Sequence, residues 1–294
     1  MKKFIKRVAL FLLLFILINI SYLIIIQKID WNYSKRIEAL NMDDPKYEVL
    51  VLGNSLAMDG IDTKYLSENG YASYNTAIGG SSLKTNCIQL QEYLSLYEHK
   101  PKFVILGLGS YLGRFDGEGI NPIVEFTMDD KHYSIHDIPI LKFKWLFKEQ
   151  LKKLFSKSHR DAYLINGQLR FSKTVSDVSQ EKRNKSFPLD EYLSSEILKS
   201  IINICNSNGI KLIILEMPGF KKTRHLKSDD CYIIDKEAKN GFLYDFNYYE
   251  FGDNFDDDKD WIGKSHLNEK GARKFTQYII RLLDEISTNA QHCI

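Results

Sequence analysis

A serine hydroxyl is a weak nucleophile until a base takes its proton, so a catalytic serine is recognised together with a histidine. Ser55 lies in VLVLGNSLAM, residues 49–58, where an apolar run leads into Gly53 and Asn54. The pattern puts a hydroxyl at the mouth of a buried strand. Taken alone, the same stretch also fits a hydroxyl that merely caps the next helix. Seven histidines are available as partners. His99, His132, His136, His159, His225 and His292 stand in polar or terminal surroundings, whereas His266, in SHLNEKGARKF, immediately precedes a helical pattern. If the first strand is central in a sheet, the loop before the last helix returns to the edge where that strand ends. Ser55 and His266 are then expected to meet.

Other chemistries find less support. Cys87, Cys205, Cys231 and Cys293 are far apart and form no CxxC pair, so neither a zinc site nor a dithiol motif is indicated. Cys87 and Cys205 fall on apolar helix faces and read as free buried thiols. The acidic run DNFDDDKD, residues 253–260, lacks the glycine and terminal glutamate of a hand-type calcium loop and reads as a solvated loop. No metal and no cofactor is expected. Residues 53–57 nearly fit the nucleophile elbow of α/β-hydrolases, but in that fold several strands precede the serine, and here it follows the first.

The elements that must position Ser55 and His266 follow from hydrophobic patterning. KFVILGLGS (residues 102–110) and IKLIILEMPG (residues 210–219) repeat the opening pattern of an apolar run ended by glycine or proline. Such continuous runs are typical of parallel strands covered on both faces. Residues 82–98, 189–207 and 268–288 carry apolar side chains at helical spacing. The alternation predicts an α/β fold, a three-layer sandwich around a mostly parallel sheet, with ligands at the carboxyl ends of the strands. Residues 115–188 interrupt the pattern and include an amphipathic piece at 140–156. They suit a cap over the crevice, a docking surface or a helix resting on a membrane, and a plain surface insertion accounts for them equally.

The chain has 294 residues, 44% of them apolar, enough for a full core. Its net charge of +2 creates no field that singles out nucleic acid as a partner. Lys2, Lys3, Lys6 and Arg7 precede an uncharged apolar run at residues 8–26, long enough to cross a bilayer as a helix. Basic residues stay on the cytoplasmic side, so the domain is expected outside the cytoplasm, on an uncleaved single-pass anchor. A cleaved signal peptide would have a shorter apolar region and end in small residues, which Ile24, Ile25, Ile26 and Gln27 are not. The expected organisation is a cytoplasmic tip and anchor at 1–28, a polar stalk at 29–46, one domain at 47–288 with its insertion, and a tail at 289–294.

These motifs together resemble the SGNH/GDSL hydrolase superfamily. Its members carry a GDS-type serine after strand one, a glycine in a second block, an asparagine in a third and a DxxH pair near the C-terminus. Gly53, Asn54 and Ser55 match the first block, and Asn54 replaces the usual acid. YNTAIGGSS, residues 74–82, matches the second, with Gly80 or its neighbour Gly79 as the oxyanion amide. Ser265, His266, Leu267 and Asn268 match the last. The resemblance covers roughly residues 47–115 and 210–285. The third block, Gly107, Leu108, Gly109 and Ser110, has glycine where the family has asparagine, leaving Ser110 or another group as the donor. Gly263 stands where the family's acid would be; Asp260 is the nearest replacement, ahead of Asp256, Asp257 and Asp258.

The resemblance implies an acetyl or similar acyl group held as an ester on Ser55, with His266 as base and the amides of Ser55 and Gly80 binding the oxyanion. Anchored members of the superfamily act on cell-surface polymers, as in alginate O-acetylation and teichoic-acid D-alanylation. A multi-spanning membrane acyltransferase as donor and a surface glycan as acceptor are therefore implied. A plain esterase or lipase is the alternative within the same chemistry. A catalytically inactive scaffold of a polymer-modifying complex is the alternative outside it.

Overall fold

Continuous apolar runs, which put apolar side chains on both faces of the strands they form, build the centre of the protein. In a computed structural model of the chain, which describes residues 1–109, 117, 119–129, 132–144, 146, 162–174, 186–219, 224–227, 231–262 and 266–288, a six-stranded sheet has the order β2-β1-β3-β6-β8-β7. Its strands are β1 (Val49–Gly53), β2 (Ser73–Asn75), β3 (Phe103–Leu108), β6 (Lys211–Glu216), β7 (Cys231–Asp235) and β8 (Asn240–Asp245). All neighbours pair in parallel except β7, which runs antiparallel to β8 at the edge. Two hairpins stand apart, β4 (Ala162–Ile165) with β5 (Gln168–Phe171) and β9 (Trp261–Ile262) with β10 (His266–Leu267).

The strands are covered on both faces, as their continuous apolar runs require. Val49, Val51, Ile105 and Ile213 pack with Phe275, Ile279 and Leu283 of the last long helix, α7 (Glu269–Ser287). Leu50, Leu52, Val104 and Ile214 face the other way, onto Leu83 and Leu90 of α5 (Leu83–Leu96) and Leu198 and Ile202 of α6 (Glu196–Ser207). The α/β class with a central, mostly parallel sheet is the one expected. Because β1 lies between β2 and β3, the chain reverses its winding direction there, and a crevice opens at the carboxyl ends of those strands. The short helices α3 (Ser55–Gly60) and α4 (Thr63–Glu68) lead away from that point.

At the N-terminus, α1 (Lys2–Ile29) is long and apolar enough to cross a membrane, the only such helix among the described residues. The segment expected as a polar stalk differs from the expectation: it forms α2 (Trp31–Leu40), capped by the Asp30 carboxylate and packed on the domain. Lys35 and Arg36 are buried in it, because carbonyls and carboxylates of the domain satisfy their charges. Part of the interrupting segment returns to the anchor. The Ile140 N–H donates to Asn19 Oδ1 (3.2 Å), the Tyr22 hydroxyl donates to the Phe143 carbonyl (3.0 Å), and Tyr22, Ile26, Tyr33, Ile123, Phe143 and Leu146 form a third apolar cluster. Most of the amphipathic stretch at 140–156 lies outside the described residues.

Candidate active site

β1 ends at Gly53, whose φ of +139° is a conformation that side chains resist. A Cβ there would lie 2.1 Å from the Gly107 carbonyl oxygen, so only glycine lets the chain turn so close to β3. The turn makes Asn54 the N-cap of α3: its Oδ1 accepts the Leu56 N–H at 2.9 Å. Capping therefore falls to Asn54 rather than Ser55. The half-buried Ser55 hydroxyl makes no hydrogen bond among the described residues.

His266 comes from the opposite end of the domain on β10, which packs against α3. Its backbone is held on both sides, by the antiparallel pairing of His266 with Ile262 and by Asn268, which caps α7 through bonds from the Lys270 and Gly271 N–H groups. The Nδ1 of His266 lies 2.7 Å from Asp59 Oδ2. Asp59 is the residue one helical turn after Ser55. Four residues of helix rise about 6 Å, a span that an imidazole bridges when one nitrogen meets the acid and the other faces the hydroxyl. Nδ1 is the ring nitrogen that is engaged; among the described residues no hydrogen bond joins Nε2 to Ser55 Oγ.

This corrects the acid expected from the sequence. Asp260 does not face His266: its Oδ2 accepts the Asp256 N–H (2.7 Å) and the Lys274 ammonium (2.5 Å), tying the 256–260 loop to α7. Sequence reasoning looked for the acid before the histidine, whereas the signal was a carboxylate at i+4 from the serine, on the same face of a helix that begins at Ser55. Burial pushes the Asp59 carboxyl up from its usual range, and His266 and Lys35 oppose the rise. Its second oxygen, Oδ1, is buried without a partner among the described residues.

Lys35 is a second residue that the sequence did not announce. Its ammonium donates to Ala77 O (2.5 Å) and Asn75 Oδ1 (3.2 Å), and the Asn75 amide in turn donates to Ala57 O (2.9 Å) in α3. Burial lowers the Lys35 ammonium to about 7, while Asp59 and Glu38 act in the other direction. An amine from α2 is thus buried within the electrostatic reach of Asp59, the carboxylate that contacts His266.

The expected oxyanion groups fall out unevenly. Gly80, with φ +75°, sits at the open tip of the loop after β2, and its N–H meets no acceptor among the described residues. The neighbouring Gly79 N–H is occupied by Asn32 Oδ1 (2.9 Å). Ser110 lies outside the described residues. Only one of the third-block glycines has a rigid steric cause: a Cβ on Gly107 would come within 2.7 Å of Ala57 Cβ, whereas one on Gly109 would meet only the tip of the Leu56 side chain, at Cδ1. Among the described residues no group of histidine, cysteine and acidic side chains is arranged to hold a metal ion. Cys87 and Cys205 are free and buried, and Cys231 is disulfide-bonded.

No protein-family model matches the sequence, and no similarity to a curated protein is found. The functional reading therefore rests on the site itself.

Proposed function

We propose that the protein is a membrane-anchored, extracytoplasmic serine acyltransferase or esterase of the SGNH type, with a three-layer domain and a Ser55, His266, Asp59 catalytic unit. The observation that carries the reading is the 2.7 Å contact between His266 Nδ1 and Asp59 Oδ2, one helical turn along α3 from Ser55 at the switch point of the mostly parallel sheet. In this reading Asp59 fixes the tautomer with its proton on Nδ1, leaving Nε2 as the base. Ser55 Oγ attacks the acyl carbonyl as Nε2 takes its proton, and the departing alcohol receives that proton as the acyl–Ser55 ester forms. An acceptor hydroxyl then gives its proton to Nε2, attacks the ester, and Ser55 leaves with the proton restored. The Ser55 and Gly80 amides would hold the oxyanion in both steps.

The location is part of the proposal. Basic residues in the first turns of α1, ahead of its apolar run, favour a cytoplasmic N-terminus, and the disulfide-bonded Cys231 suits an extracytoplasmic compartment. Tethering raises the local concentration of a membrane-supplied donor, which favours transfer to a surface glycan, with a multi-spanning acyltransferase supplying the acyl group. A second reading, an inactive scaffold, draws on Gly107 and Gly109, which leave the third-block donor unfilled. A fluorophosphonate probe on the detergent-solubilised full chain separates them. The enzyme reading predicts labelling that vanishes in Ser55→Ala and falls sharply in His266→Ala; an unlabelled wild type would favour the scaffold.

A further inference from the structure

Gly109 stands where the family has its asparagine, so the side-chain donor that complements the backbone amides of the family's oxyanion hole is missing here. We propose that the missing donor is Asn32 Nδ2, supplied by the helix that joins the membrane anchor to the domain. This rests on the acyl–Ser55 reading and adds to it a catalytic residue from outside the blocks that define the resemblance.

Three observations support it. The first is proximity: a methyl group built on Gly79 would lie 3.8 Å from Ser55 Cβ, 3.4 Å from Asn32 Oδ1 and 3.5 Å from Asn32 Nδ2. The amide and the serine therefore flank one small space on the face of the oxyanion loop. The second is orientation. The Gly79 N–H can only donate, so the atom it meets at 2.9 Å is Oδ1, and the amide's two N–H donors remain. Nδ2 makes no hydrogen bond among the described residues. The third is rigidity, which such a donor needs. The Asp30 carboxylate accepts the Asn32 and Tyr33 N–H groups. One turn on, Lys35 is fixed to Asn75 and Ala77, and Arg36 bonds Glu92 (2.5 Å) and Thr127 (3.0 Å). A polar segment that needed only to span a gap would have no reason to bury a lysine and an arginine against the domain.

On this account α2 is a catalytic element, and the anchor and the reaction centre are mechanically one piece. The test uses the full chain in detergent and measures p-nitrophenyl acetate hydrolysis, fluorophosphonate labelling rate and thermal unfolding. Asn32→Ala removes the donor. Asn32→Asp retains an acceptor for the Gly79 N–H and loses the donor, so it preserves the loop. Both are expected to lower kcat by ~10²–10³-fold, with KM changed less than about 3-fold and with the Asn32→Asp melting temperature unaltered. Ser34→Ala, on the same helix, is the control and should keep wild-type turnover. An active wild type whose Asn32 variants keep kcat within about 3-fold, or lose it only in step with a lower melting temperature, overturns the Asn32 assignment alone. A wild type that neither labels nor turns over ester overturns the serine-hydrolase reading and this inference with it.

Discussion

Replacing Asp59 by asparagine separates catalysis from stability more cleanly than any other single change. The carboxylate lies 2.7 Å from His266 Nδ1 with a side chain 5% exposed, so in the proposed mechanism it would stabilise the imidazolium formed as Ser55 loses its proton. Two unit charges about 4 Å apart at an effective dielectric of about 20 attract by about 4 kcal/mol. That energy alone is worth about 10³ in rate. Asparagine can also present its amide to Nδ1 and select the wrong tautomer, and the equivalent change in another serine hydrolase costs about 10⁴. Asp59→Asn should therefore lower kcat/KM by ~10³–10⁴. Folding moves the other way. Burial raises the Asp59 carboxyl, so its ionisation opposes folding as pH rises above the usual carboxylate range. The neutral variant escapes that cost, and its melting temperature near pH 8 should equal or exceed that of the wild type. The assay pairs ester hydrolysis by the full chain with thermal unfolding. A variant that retains a third or more of the activity, or that loses it together with its stability, would refute the assignment.

Asp260→Asn should show the opposite separation: kcat/KM within about 3-fold of wild type, but a stability loss of about 1 kcal/mol, because it weakens the half-buried bonds to Lys274 and to the Asp256 N–H. Loss of turnover without loss of stability, seen in paired kinetics and denaturant titrations, would return the catalytic acid to Asp260. Glu216 offers a pH test of the core. Fully buried at the end of β6, it accepts bonds from the Tyr192 hydroxyl and Asn247, and burial, reinforced by Asp245, raises it from 4.5 to about 8. The folded value exceeds the unfolded one, so stability is fully present below about 4.5 and declines as pH rises through about 8. Glu216→Gln should melt higher than the wild type at pH 9 and show no such gain at pH 5; an equal shift at both would contradict the linkage.

The elements that carried most of the site were legible because their signals are local. VLVLG, FVILGL and LIILE are continuous apolar runs and became β1, β3 and β6, while helical spacing marked α5, α6 and α7. Ser55 and His266 were legible as single residues at the ends of such elements. The antiparallel β7 and the β4–β5 hairpin were not, since these strands are only four or five residues long, and β5 and β7 mix polar with apolar residues. Asp59 escaped because its role depends on the register of α3, which exists only once Asn54 takes the cap. Lys35 and Asn32 escaped for a different reason. A stretch of lysine, arginine and asparagine reads as solvated, and only distant groups, the Ala77 carbonyl and the Gly79 amide, make its burial possible.

Trapping the covalent intermediate tests the central claim most directly. The full chain in detergent is incubated with p-nitrophenyl acetate, quenched in acid and digested, and the peptides are read by mass spectrometry. The account predicts a single acetyl ester on Ser55 that is absent from Ser55→Ala and greatly reduced in His266→Ala. An acetyl group found only on other residues, or none at Ser55 while ester is consumed, would contradict it.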